Sequence, residues 1–140
     1  MKPRIKVITI GVDDLERSLT FYRDGLGLPT EGIIGTEFED GAVVFFHMND
    51  DLILALYPRP ALAKDAKVML SPASPSEFSL GHIVSSKRDV DVVMQQAEQA
   101  GARLTDAARD RFWGGYSGYF QDPDGHLWEI AWNSAWEVKE

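Results

Sequence analysis

Two polar residues stand where the surrounding residues make apolar strands. His82 lies between Gly81 and Ile83, and Glu129 between Trp128 and Ile130. An imidazole in that setting is either a hydrogen-bonded core or cavity residue or a general base, because its ordinary pKa lies close to neutrality. A carboxylate at strand centre carries a large desolvation cost, so Glu129 needs a partner. Phe112, Trp113, Tyr116, Tyr119 and Phe120 crowd one short stretch, interleaved with Gly114, Gly115 and Gly118. In a strand, alternation splits Tyr116, Gly118 and Phe120 from Ser117 and Tyr119, so one set meets a helix and the other a cavity. Glycines beside aromatic walls leave room for a planar or apolar ligand, which makes Trp113, Tyr116 and Tyr119 candidate ligand contacts. Phe46, with Phe45 and His47, supplies an opposing wall from the first half. Arg109, Asp110 and Arg111 read most simply as a solvated charged loop, with an anion clamp at the cavity mouth as the alternative. With no cysteine in the chain, any metal must use His, Asp or Glu.

These residues need a scaffold, and 140 residues suffice for one ordinary domain. The composition, 44% hydrophobic and 26% charged, suits a chain with a real core and excludes disorder. A formal charge of −8, without clustered Lys and Arg, argues against a nucleic-acid partner. No apolar run approaches the ~18 residues of a membrane span, and Val7 to Val12 is too short for a secretory core, so no membrane association and a cytoplasmic location are expected.

The pattern predicts two halves of the same grammar. Residues 5–11 read as a strand, Asp13-Asp14 as a helix start, and Leu15, Leu19, Tyr22 and Leu26 as one helical stripe. Strands are expected at 31–38, 42–48 and 52–57, separated by Glu39-Asp40-Gly41 and Asn49-Asp50-Asp51. Prolines at 58, 60, 72 and 75 predict a linker with at most one helical turn around 61–66. The second half repeats the order: a strand at 81–85, a helix with Val90, Val93, Met94, Ala97 and Ala100 on one face, and strands near 103–106, 115–121 and 126–132. The last two strands are joined by the Asp122-Pro123-Asp124-Gly125 turn. A shift of 75 residues superposes the halves, placing Val7 on His82 and Leu54 on Glu129. The expectation is an α+β fold of tandem βαβββ modules, the first about 4–58, a linker about 59–77, the second about 78–133, and a tail at 134–140.

With Val12-Asp13-Asp14-Leu15-Glu16-Arg17-Ser18 leading to Phe21-Tyr22, and Asp122-Pro123-Asp124-Gly125-His126-Leu127-Trp128-Glu129-Ile130 near the other end, the chain resembles the vicinal oxygen chelate superfamily. That group includes glyoxalase I, extradiol dioxygenases, and fosfomycin- and bleomycin-resistance proteins. The resemblance implies that the modules curl into an incomplete barrel around a ligand, and that the chain forms a homodimer. It also implies metal-ligand positions at Val7, Leu54, His82 and Glu129. Two of these are aliphatic, fewer donors than the three protein ligands a catalytic metal generally takes. The expected cofactor set is therefore empty, with Val7 and Leu54 lining the ligand cavity. The family's topology would place His82 and Glu129 opposite each other as a catalytic pair. The leading reading is a small-molecule binder or metal-independent enzyme, of lyase or dioxygenase type if catalytic. The alternatives are a divalent-metal lyase, isomerase or dioxygenase using His82, Glu129 and a third ligand, and a non-catalytic interaction domain with a filled cavity.

Overall fold

The computed structural model describes residues 1–139; Glu140, the last residue of the expected tail, lies outside them. The chain divides into two compact units, Met1–Pro72 and the residues from Ala73 onward. Each holds a four-stranded mixed sheet, and neither sheet closes on itself.

In the first unit β1 (Val7–Val12) leads to α1 (Leu15–Leu19), then β2 (Thr30–Ile34), β3 (Val43–His47) and β4 (Ile53–Pro58). The sheet order is β1-β4-β3-β2, with β1 parallel to β4. Asp14 caps α1 by accepting from the Arg17 N–H at 3.0 Å, which satisfies a donor that the first turn leaves over. A π-helical turn at Thr20–Gly25 continues the helix. Its consecutive aromatics Phe21 and Tyr22 are both buried and meet edge to face at 4.9 Å. Tyr22 then reaches Phe46 on β3, so Ile10, Val12, Val44, Phe46, Leu54 and Leu56 form the core on that face.

The linker holds more structure than its prolines suggest. α2 (Arg59–Ala66) spans eight residues, not one turn, because Pro60 sits in the first turn, where a missing N–H costs nothing. β2 stops at Ile34, short of the expected 38, because Gly35 turns at φ 80° and lies so close to Gly41 that neither could carry a side chain there.

The second unit repeats the order with β5 (Ser79–Ile83), α3 (Lys87–Gln99), β6 (Arg103–Asp110), β7 (Tyr116–Gln121) and β8 (Leu127–Trp132), arranged β5-β8-β7-β6. Ser86 caps α3 by accepting from the Asp89 N–H at 3.1 Å. β6 runs to Asp110, four residues past its expected end. It is an edge strand with two register irregularities and charged residues at Arg103, Asp106, Arg109 and Asp110, a pattern that hides an edge from sequence periodicity. Val90, Met94 and Ala97 of α3 are buried, and Phe120, Trp128 and Ile130 are buried on the sheet below, with Phe120 and Trp128 stacked at 6.1 Å. Among the described residues no helix is long and apolar enough to cross a membrane.

Gly118 lies beneath α3, against Met94. A Cβ there would sit 2.7 Å from Met94 Cε and 2.9 Å from the Ala108 backbone nitrogen. Met94 can swing away, but the backbone cannot. Gly118→Ala is expected to cost about 1–3 kcal/mol in urea unfolding, with unchanged native circular dichroism.

Candidate functional site

The register of the second sheet fixes which side chains can meet. Asp106 of β6 pairs with Tyr119 of β7, Tyr119 with Glu129 of β8, and Glu129 with Gly81 of β5, so these four residues form one row across the sheet. Alternation puts the row on the face away from α3, because Gly118, Phe120, Trp128 and Ile130 fill the near face. The neighbour of Glu129 on β7 is Tyr119, its cross-strand pair, whose phenol lies close enough to feel the carboxylate charge. Burial, chiefly, and then the neighbouring Glu129 charge hold the Tyr119 pKa above its ordinary value, so the phenol stays a donor. On the other side of Glu129, nothing lies within 4 Å of where a Gly81 side chain would begin. The carboxylate has a phenol on one flank and open space on the other.

Arg111 completes this arrangement as a buried anchor, neither the solvated loop residue nor the anion clamp that its charged neighbours suggest. The side chain is only 10% exposed. It turns back from the 111–115 turn to donate from Nε to Ser117 Oγ and from Nη2 to the Ser117 carbonyl, both at 2.8 Å, and from Nη1 to Asp106 at 3.0 Å. Its guanidinium also lies over the Tyr119 ring, 5.5 Å from the centroid. Hydrogen bonds from Arg109 and then Arg111 hold the Asp106 pKa below the usual carboxylate range.

Several expected site residues lie elsewhere. His82 does not face Glu129: it pairs with Ile130, and parity puts the two side chains on opposite faces of the sheet. Phe46 and Leu54, 0% and 3% exposed, belong to the core below α1 rather than to a ligand wall. Val7 has the other parity and is exposed on the face away from that core. Tyr116 is held on the α3 side, donating to Asp91 at 2.7 Å while the Lys87 ammonium lies over its ring and that of Trp132. Trp113, 40% exposed, folds over Gly115 in the turn after β6.

The 75-residue shift also needs correction, because the halves differ in loop length. The helix caps Asp14 and Ser86 are 72 positions apart, while the first residues of β4 and β8, Ile53 and Leu127, are 74 apart. Since Val7 pairs with Ile53 as Ser79 pairs with Leu127, Val7 corresponds to Ser79 and Ala55 to Glu129.

A family model for the glyoxalase/bleomycin resistance protein/dioxygenase superfamily matches residues 4–130. The chain belongs to that superfamily. It is 34% identical to a glyoxalase-related enzyme from Fulvimarina pelagi, with a TM-score of 0.85 over 98% of this chain and 93% of that one. It is also similar to the glutathione transferase FosA of Serratia marcescens, 27% identical over 88% of this chain and 76% of that protein. An uncharacterized Bacillus subtilis protein, YraH, is 28% identical over 88% of this chain and 93% of its own length.

The metal-ligand positions implied by this superfamily fit a metal poorly in this member. Val7 and Leu54 offer no donor, and His82 and Glu129 point to opposite faces. Among the described residues no three His, Cys, Asp or Glu side chains come together as a metal-holding group. A concavity of about 410 Å³ in the first unit is lined in part by Glu39, Asp40, Tyr57 and Lys64, and Lys64 binds Asp40 there at 2.8 Å.

His82 keeps considerable solvent exposure on the edge strand, yet neighbouring atoms desolvate the ring enough to lower its pKa from the ordinary 6.5. The unfolded chain therefore binds this proton more readily than the folded one. The resulting stability is intact above pH 6.5 and is lost as pH falls through the folded-state pKa. His82→Gln is expected to flatten the loss of unfolding free energy just below pH 6.5, measured by urea titration at a series of pH values.

Proposed function

We propose that this protein binds a small organic molecule on the far face of its second sheet and works there without a metal. Glu129 accepts a hydrogen bond from an N–H or O–H group of the ligand. The observation that carries this reading is the asymmetry around Glu129: its cross-strand neighbour Tyr119 flanks one side of the carboxylate, and nothing lies within 4 Å of where a Gly81 side chain would begin on the other. A carboxylate oriented in this way binds a donor or a positively charged group, and it can take a proton from a bound substrate if the ligand is one that reacts. Among the described residues no Lys, Arg or His pairs with Glu129, and the nearby Arg111 is engaged by Asp106 and Ser117. The negative charge therefore remains available to the ligand. Membership of a superfamily whose relatives include a transferase and a glyoxalase-related enzyme is compatible with catalysis, but the fold alone does not choose the reaction.

A thermal-shift screen of small amines, alcohols and amides tests this reading. A ligand present at a hundredfold excess over its Kd raises stability by about 2.7 kcal/mol. For the best compound, Glu129→Gln is expected to weaken binding roughly 10- to 100-fold, the cost of losing a hydrogen bond to a charged group. Chelator treatment is expected to leave binding unchanged. Equal affinity in the variant, or binding that requires an added divalent ion, would overturn the proposal.

A further inference from the structure

We infer that Gly81 is the specificity-determining residue of the Glu129 site: its missing side chain leaves a slot beside the carboxylate for a flat group carrying N–H donors. That a ligand uses Glu129 at all rests on the reading given above.

Among the described residues, four glycines lie within strands: Gly11, Gly32, Gly81 and Gly118. Glycine weakens a strand, through its freedom in the unfolded chain and the lack of a side chain to pack, so each position calls for a reason. Three have one in the fold itself. Gly32 has a φ of 88°, which favours glycine. A Cβ on Gly118 would press on Met94 and the Ala108 backbone, and one on Gly11 would already stand against Arg59, 3.4 Å from its Cγ. Gly81 has no such reason. Its φ lies outside the left-handed region, and beyond its chain neighbours no heavy atom comes within 4 Å of where its Cβ would be. Glu129 pairs with it in register yet keeps its own arm out of that space, so the glycine does not serve to make room for the carboxylate stem. The scaffold accepts a side chain here, because the corresponding residue of the first sheet is Thr9, in the same parallel register with Ala55. A strand glycine that neither backbone nor neighbours require marks a place where a ligand comes close to the main chain.

The walls of the slot set its chemistry. Its floor is the bare Gly81 peptide, one flank is Glu129, and beyond Glu129 stands Tyr119. A flat group can lie close on such a floor, where a Cβ would hold it away. A carboxylate at its edge is matched by two N–H donors in one plane, one for each oxygen. An amidinium or an aminoheteroaryl group has that shape. A tetrahedral quaternary ammonium, of equal charge, has neither the flatness nor the donors.

Benzamidine, a flat cation with two N–H groups on one edge, is the probe, and tetramethylammonium is the tetrahedral comparison. Each is titrated at millimolar concentration into 15N-labelled protein while the backbone amides of residues 81 and 129 are followed. Benzamidine is expected to shift both saturably, and tetramethylammonium neither. Gly81→Val, whose β-branched side chain suits a strand, is expected to raise the urea midpoint and to weaken benzamidine binding by roughly tenfold or more, with Gly81→Ala between. Unchanged benzamidine affinity in Gly81→Val overturns the inference, as does equal binding of tetramethylammonium or the lack of a saturable benzamidine shift in wild type. A lower urea midpoint or failure to fold in Gly81→Val also overturns it, because the fold would then be what requires the glycine. Wild-type affinity in Gly81→Val with loss in Glu129→Gln removes the slot and leaves the role of Glu129 standing; the reverse pattern supports the slot and removes that role.

Discussion

The site depends on the two-residue period of β8. Trp128 and Ile130 are buried on the side that faces α3, so Glu129 between them is forced to the other face. Moving the strand by one residue would drive the carboxylate against Met94 and expose an indole and a branched alkyl chain. The cost of burying an unpaired carboxylate and that of losing two buried side chains act in the same direction, so the register is strongly specified. Everything functional follows from that alignment. Tyr119 becomes the cross-strand neighbour of Glu129, Asp106 that of Tyr119, and a glycine takes the remaining flank.

The two units carry the same row with different contents. In the first sheet the corresponding residues are Thr9, Ala55 and Phe45, paired in the same order as Gly81, Glu129 and Tyr119. Phe45 differs from Tyr119 by the hydroxyl, and Ala55 from Glu129 by the whole carboxylate arm. The scaffold is therefore repeated while the Tyr119 and Glu129 pair belongs to the second unit alone. This asymmetry weakens the expectation that each half contributes donors to one metal, and it favours a site built on one sheet.

Much of the architecture was readable in the amino-acid order. Cap residues, hairpin turns and the 3.6- and 2-residue periods locate each βαβββ half, and the separation of Tyr119 and Ser117 from Tyr116 and Phe120 follows from parity within one strand. Parity across strands does not follow in the same way. Whether His82 or Gly81 stands beside Glu129 depends on the register of a parallel pair formed by residues nearly fifty positions apart, and a single ungapped shift conceals loops that differ in length between the halves. That is why Leu54 was expected at a ligand wall although it lies in the core. Arg111 was hidden for another reason. Its charge sits in a run that looks solvated, and only the turn from β6 to β7 brings its guanidinium back over Ser117.

The arrangement around Glu129 is the point at which all of this can be checked directly. A nuclear Overhauser experiment on 13C-labelled protein should give contacts from the Glu129 side-chain protons to the Tyr119 ring and none to the Met94 methyl group or the His82 ring. Contacts from Glu129 to Met94 or to His82 would mean that β8 lies in the other register, and the site described for this protein would not exist.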